Sequence, residues 1–265
     1  MKVICMTTSK GGAAKTTNTV EIAAALKILG KKVLVIDIDQ TTGLTKYVGA
    51  YYDPKERKDL GLNTIYDVLT GNVSVDDAII DVECFDLIAG DERLANPQIT
   101  FNKEDDQYLL KDVCDMLQEN GYDYIFIDHG PQKDLLQKMS YIASDVFFIT
   151  TLLAENDRQQ AKNAIEEIKQ LQNSRNKLVT GDIYGFIVSR VKKVSLSDIA
   201  IADMQEEAEN YKNVRNVETK IFTVPDAIAI AEAQTYKMPN TITHKSSNVS
   251  RSYYNIANYI IETIK

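Results

Sequence analysis

Ser9-Lys10-Gly11-Gly12-Ala13-Ala14-Lys15-Thr16-Thr17 lies between a short β-branched run, Val3 to Thr7, and a helix-forming segment, Thr16 to Leu29. A strand, a glycine-rich turn, Lys-Thr and then a helix is the context of a phosphate-binding loop. Glycines let the backbone turn its N–H groups inward, and the helix amino terminus adds positive potential. In that pattern Lys15 neutralises β- and γ-phosphate oxygens, and the Thr16 hydroxyl binds Mg²⁺. Gly11, Gly12, Ala13, Ala14, Lys15, Thr16 and Thr17 are therefore the candidate nucleotide-binding residues. The general form G-x-x-x-x-G-K-[ST] fails at both outer glycines, which are Ser9 and Ala14. What fits is K-G-G-x-x-K-[ST], opened by an extra lysine, Lys10. If position 14 needs φ > 0, its Cβ strains the loop by about 1 kcal/mol or more. The expectation is that nucleotide still binds, but less tightly.

Outward from the loop, short apolar runs alternate with helical stripes. Val33 to Ile36 is a near-continuous apolar run, as expected of a strand buried on both faces. The same grammar recurs at Phe85 to Ala89, Tyr124 to Ile127, Val146 to Thr150 and Ile183 to Val188. Ile22, Ala25, Leu26 and Leu29 form a stripe that ends at Gly30, a helix-stop position. Leu109, Val113 and Leu117 form a second stripe, and Ala161, Ala164, Ile165, Ile168 and Leu171 a third. The last, from Tyr253 to Ile264, is read as core packing. Its polar face carries Asn255, Asn258, Glu262 and Thr263 rather than the Lys and Arg of a membrane-binding helix. Tyr47 to Gly61 reads as an exposed loop. Strands alternating with helices predict one domain over 1–265, an α/β fold with a mainly parallel twisted sheet and helices on both faces. Ligands of such folds bind beyond the carboxyl ends of the strands.

Composition narrows the function classes. The chain has 265 residues, 44% hydrophobic and 26% charged, enough for a sizeable core. Thirty Lys and Arg against thirty-eight Asp and Glu give a net charge of -8. This argues against a protein whose main task is coating nucleic acid or anionic membrane. No apolar run approaches the roughly 18 to 20 residues of a membrane span. Cys5, Cys84 and Cys114 are far apart and odd in number, so each reads as a buried hydrophobe in a reducing compartment. A cytoplasmic location follows as the expectation.

Further motifs stand in order behind the loop. Val33-Leu34-Val35-Ile36-Asp37-Ile38-Asp39-Gln40-Thr41-Thr42-Gly43-Leu44-Thr45 resembles the second strand of the ParA/MinD group of P-loop ATPases, which usually ends D-x-D-P-Q-G-N. Tyr122 to Asp128 resembles the Walker B strand of that group. Ala231-Glu232-Ala233 followed by Lys237-Met238-Pro239 resembles its late A-E-A and G-K-P segment. With the deviant Walker A loop, the match covers nearly the whole chain, and within the group it is similar to the ParA-type partition ATPases.

That resemblance implies an ATPase using ATP and Mg²⁺, in which two subunits sandwich two nucleotides. It gives catalytic roles to Lys10, which reaches across the homodimer, and to Asp39, which orients or activates the attacking water. Thr16, Asp37 and Asp128 are the implied metal-side residues, with Asp37 supporting Mg²⁺ or the loop lysine. Lys10, Pro225 and Asp226 are counted with the nucleotide-binding residues. Asp128 is followed by His129-Gly130-Pro131 where the family usually has T-P-P, and His129 is read as filling space rather than sensing the γ-phosphate. Gln40-Thr41-Thr42 replaces P-Q-G, so slow hydrolysis is expected.

The resemblance also implies nonspecific binding of the ATP-bound dimer to DNA, mostly by phosphate neutralisation. Arg190, Lys192, Lys193, Lys245 and Arg251 are the candidates. Asp226 stands where many partition ATPases carry arginine, so weaker binding, or binding through other residues, is expected. The first strand opens close to Met1, which fits the short type that lacks an operator-reading domain and works with a separate centromere-binding, ParB-like protein. A basic flexible segment of such a partner would be attracted by the acidic net charge. The leading expectation is a nucleoid-associated ATP switch that segregates plasmid or other mobile DNA. Two alternatives stand beside it: a MinD-like or other cargo-positioning ATPase, and a nucleotide-binding regulator or scaffold with little hydrolysis.

Overall fold

The computed structural model describes residues 1–265. Eight strands run as β1 (Lys2–Thr7), β2 (Val33–Asp37), β3 (Ile79–Val82), β4 (Phe85–Ile88), β5 (Tyr124–Asp128), β6 (Val146–Thr151), β7 (Asp182–Val191) and β8 (Lys220–Pro225). They form one sheet in the order β3-β4-β2-β5-β1-β6-β7-β8. Every neighbouring pair is parallel except β3 with β4. The buried strands are those whose apolar runs are continuous. The two edge strands, β3 and β8, lack such runs because one side of each faces no neighbour. β8 alternates exposed Lys220 and Thr223 with buried Phe222 and Val224, and ends in a proline, as an edge permits.

The helices are α1 (Lys15–Ile28), α2 (Gly43–Tyr47), α3 (Pro54–Leu60), α4 (Ile65–Leu69), α5 (Pro97–Thr100), α6 (Leu109–Met116), α7 (Leu135–Ala143), α8 (Glu155–Gln172), α9 (Ser195–Arg215), α10 (Ile228–Tyr236), α11 (Asn240–Thr243) and α12 (Asn248–Thr263). The two-residue period of the strands sorts their side chains between two covers. Val33 and Val35 face the core that contains α1 and α12, whereas Leu34 and Ile36 join α4, α6 and α7 on the opposite face. Further along that second face, Phe147, Ile149 and Phe186 pack with α8 and α9. Removing one such side chain, as in Ile36→Ala, costs about 2–5 kcal/mol by lost transfer energy and residual cavity.

Two local expectations are corrected. Helix α1 is buried around its whole circumference from Val20 to Leu26 between the sheet and α12, so Ala23 and Ala24 belong to the core. The stripe read from sequence was too narrow, and Leu29, placed on it, is 38% exposed. Gly30 does follow the helix in the left-handed region at φ 82, with Lys31 N–H donating to Leu26 O at 3.0 Å. The stretch Tyr47 to Gly61 is exposed as expected but not irregular. Asp53 accepts from Lys55 N and Glu56 N at 2.8 and 2.9 Å, Glu56 accepts from Asp53 N at 3.2 Å, and Pro54 occupies the first helical position. This capping box holds α3 without burying any of its residues.

The carboxyl ends of β1, β2, β5, β6 and β7 open on one rim. Asp37 and Asp128 are register partners there, and β1 delivers the phosphate loop between β5 and β6.

Candidate active site

The loop turns through two left-handed residues. Gly12 has φ 75, and Ala14, which caps the amino terminus of α1, has φ 66 and ψ 18. Position 14 therefore does need φ > 0, and its Cβ is strained there. Lys15 points back under the loop, where its Nζ donates to Lys10 O at 3.2 Å with the residue only 6% exposed. Burial pulls its pKa down, and the carboxylates of Asp128 and Asp39 oppose that shift. The loop wraps a cavity of about 210 Å³ lined by Gly11 to Thr17, Asp39, His129, Pro131, Arg190 and Gln234. Thus Gly11 to Thr17 and Asp39 line a single space. Lys10 is not among its walls. Its ammonium is paired instead with Asp157, a buried carboxylate in the first turn of α8.

The three aspartates divide their work. Asp128 is fully buried; its Oδ2 accepts from the Thr16 hydroxyl at 2.7 Å, and its Oδ1 has no hydrogen-bond partner. Burial first, and then the charge of Asp37, push its pKa up to about 8. An orphaned carboxylate oxygen beside a threonine hydroxyl is a hard-oxygen arrangement that suits Mg²⁺. No group of three or more His, Cys, Asp or Glu could hold a metal alone. Thr16 and Asp128 therefore fit as two members of a Mg²⁺ site that they do not complete alone. Asp37, expected on the metal side, is otherwise occupied. Its oxygens accept from Thr45 N at 2.9 Å, Thr45 Oγ1 at 2.7 Å and Asp39 N at 3.1 Å, so it fixes the entry to α2. Desolvation pushes its pKa to about 6 despite those donors. Asp39 is 9% exposed, faces the cavity, and accepts from Thr41 N at 2.9 Å.

A second cavity of about 290 Å³ adjoins the first and shares Ala14, Thr17, Arg190 and Gln234 with it. Its other walls include Ser189, Val224, Pro225, Asp226, Ile228 and Tyr253. Pro225 and Asp226 thus stand in the second cavity, away from the loop glycines. Two of the DNA candidates, both exposed, stand beside these cavities. Lys192 is paired with Asp226 at 3.0 Å, so the acidic residue at 226 neutralises a neighbouring lysine. Arg190 lines both cavities and adopts φ 58 at an irregularity of the β7–β8 ladder between Ser189 and Val191. It is exposed there and stands beside the phosphate loop, a placement the sequence does not show. Lys193, Lys245 and Arg251 are exposed.

His129 is 1% exposed. Its Nδ1 is 2.6 Å from Gly130 O, and its Nε2 is 3.1 Å from Thr7 Oγ1. Burial, with Lys15 nearby, pushes its pKa down to about 3. It lines the same cavity as the loop and has a hydrogen-bond partner at each ring nitrogen. Sequence reasoning also missed Asp157, Thr45 and Glu21. Glu21 is buried within α1 and accepts from Asn240 N and Thr241 N at 2.8 and 2.9 Å, tying α11 to the loop helix. A glutamate inside an alanine-rich buried helix was the available signal for that residue.

The family model described as an AAA domain, AAA_31, matches residues 1–180. The chromosome partitioning protein ParA of Caulobacter vibrioides is 24% identical over 271 residues, covering 98% of this chain and 94% of that protein. The sporulation initiation inhibitor protein Soj of Bacillus subtilis is 34% identical over 179 residues, 65% of this chain and 64% of Soj. Among solved structures, a McdA–ATP complex from Cyanothece superposes with a TM-score of 0.83 at 21% identity, covering 98% of this chain and 96% of McdA. With a strained phosphate loop, a hydroxyl–carboxylate pair behind it and a parallel sheet delivering both, the chain belongs to the AAA_31 family and is a P-loop ATPase of the ParA/MinD type.

Proposed function

We propose that the protein is an ATP-driven switch that segregates DNA, assembling a homodimer on ATP and leaving DNA on hydrolysis. The observation that supports this reading is the pair of adjoining cavities around the loop, one polar and one lined by both polar and apolar side chains, which suits the phosphate and nucleoside ends of a nucleotide. The named partition relatives, ParA and Soj, support the cargo.

In this reading the loop N–H groups and Lys15 hold the phosphates, and Arg190, Pro225 and Asp226 flank the ribose and base. Thr16 and Asp128 would hold Mg²⁺, which would supply neutralisation of phosphate charge. Asp39 orients the attacking water from the cavity wall. Asp37 contributes by fixing the Asp39 loop rather than by ligation. Lys10 must leave Asp157 to reach a second copy's nucleotide, where a cation offsets charge that develops during transfer. Hydrolysis without a partner is slow, because Lys10 starts out paired and the Gln40-Thr41-Thr42 loop departs from the usual sequence. Exposed Lys193, Lys245 and Arg251 supply phosphate contacts to DNA. A separate ParB-like protein with a basic segment stimulates turnover, and the protein works in the cytoplasm at the nucleoid. No helix of the structure is long and apolar enough to cross a membrane.

Sedimentation with ATP and Mg²⁺, with ADP, and with no nucleotide tests the switch. A dimer should form only with ATP, and Lys10→Ala should bind ATP yet stay monomeric. A nucleotide-independent dimer, or dimerisation by Lys10→Ala, would overturn the reading. Steady turnover with no DNA association would favour a cargo-positioning ATPase.

A further inference from the structure

The turn after β5 is held by a hydrogen-bond chain that nothing in the nucleotide reading requires. His129 Nδ1 faces a carbonyl, Gly130 O, so that nitrogen carries the proton of the neutral ring. Nε2 must then accept, and Thr7 Oγ1 donates to it at 3.1 Å. The Thr7 oxygen in turn accepts from Tyr141 OH at 2.7 Å, and Tyr141 accepts from Gln137 Nε2 at 3.1 Å. The chain is thereby directional, running from α7 through the last residue of β1 to the Gly130 carbonyl. Every intermediate member is buried, and the Tyr141 ring meets His129 edge-on at 5.8 Å.

The Gly130–Pro131 turn touches both halves of the chemistry. A Cβ at Gly130 would stand 2.5 Å from Gln132 Oε1 and 3.2 Å from Asp39 Oδ1, so the turn runs close beside that carboxylate. On the other side, a Cβ at Gly11 would lie 3.6 Å from Pro131 Cγ, so the same turn packs on the phosphate loop.

We propose that His129 is a positioning residue for ATP hydrolysis: anchored through Thr7 to Tyr141 and Gln137, it sets the Gly130–Pro131 turn against Asp39 and the phosphate loop. The proposal rests on the reading that Asp39 orients the attacking water. It predicts an effect on turnover rather than on nucleotide affinity, because the loop's own N–H groups and Lys15 are left in place.

The test measures ATP hydrolysis, ATP affinity and melting temperature for the full chain and its variants in Mg²⁺. His129→Ala should lower kcat about tenfold, the loss of one well-aligned orienting contact, with ATP affinity within about twofold. His129→Asn, whose amide N–H can replace Nδ1 on Gly130 O, should recover most of the rate. Tyr141→Phe removes only the hydroxyl, which guards against a folding defect, and should lower kcat about threefold. The double variant should be no slower than His129→Ala, since the chain is already broken. An unchanged kcat in His129→Ala, parallel losses of kcat and affinity without rescue by asparagine, or additive losses would each overturn the proposal. Asp39→Ala is the separate arm. If it hydrolyses ATP at the parent rate, the reading of Asp39 fails whatever His129 does.

Discussion

Ala14→Gly should stabilise the protein and leave its ATP affinity unchanged. Ala14 sits at φ 66, ψ 18, and an alanine in that region costs roughly 1–2 kcal/mol from the clash of Cβ with the following carbonyl. Glycine removes this cost but loses more backbone entropy on folding, a penalty of roughly 0.4–1 kcal/mol. Ala14 also caps α1 without a side-chain hydrogen bond, and glycine is the better of the two at that position. The balance is about 0.5–1 kcal/mol in favour of glycine, or a rise in Tm of about 1–4 °C for a chain of this size. The strain is present in the free protein, so nucleotide binding need not create it, and ATP affinity should stay within about twofold. The expectation of weaker binding from sequence alone is thereby moved onto stability. Urea unfolding and calorimetric ATP titration of parent and variant measure both quantities. A less stable variant would refute the strain. A gain in affinity above about fivefold, equivalent to some 1 kcal/mol, would show that the strain is imposed by binding.

Asp157→Asn should free Lys10 and raise ATP-dependent dimerisation. The lysine side chain is 37% exposed, so the pair contributes at most about 1 kcal/mol and the increase should not exceed roughly fivefold; an unchanged dimer fraction would contradict a restraining role for this pair. Asp128 holds its proton more tightly folded than unfolded, with a folded value of about 8, so its contribution to stability is complete below pH 4 and is lost as pH rises toward 8. Without Mg²⁺, Asp128→Asn should therefore gain stability relative to the parent between pH 5 and 8, measured by urea midpoints, whereas a parent gaining on the variant would contradict the assignment. ATP at 100 times its Kd with Mg²⁺ should stabilise the parent by about 2.7 kcal/mol. Chelation of Mg²⁺ should remove most of that shift, and Lys15→Ala should show none; a full shift in either case would argue against the assigned site.

The parallel sheet was legible because buried strands write continuous apolar runs, as Val33 to Ile36 and Tyr124 to Ile127 do. Edge strands β3 and β8 were not, since half-covered strands need no such run. The loop from Gly11 to Thr17 was readable because backbone geometry and phosphate charge dictate residue types at fixed spacing. The partners of charged side chains were not readable in the same way. Lys10 meets Asp157 and Lys192 meets Asp226 through tertiary placement, across 147 and 34 positions of sequence. Arg190 was visible as a cation, but the β7 irregularity that turns it toward the nucleotide cavities leaves no local signature. His129 departed from the family pattern, and its meaning came only from Thr7 and Tyr141 on other elements.

DNA binding by the purified protein with ATP, with ADP and with no nucleotide, at two salt concentrations, tests the central claim most directly. Binding of unrelated duplexes should appear only with ATP and weaken steeply with salt, by a logarithmic slope of about 0.9 for each phosphate contact. Charge removal at Lys193, Lys245 or Arg251 should reduce that slope by about one each, whereas Arg190→Ala should weaken nucleotide binding first. Demonstrated ATP binding without any association with DNA would contradict the partition switch.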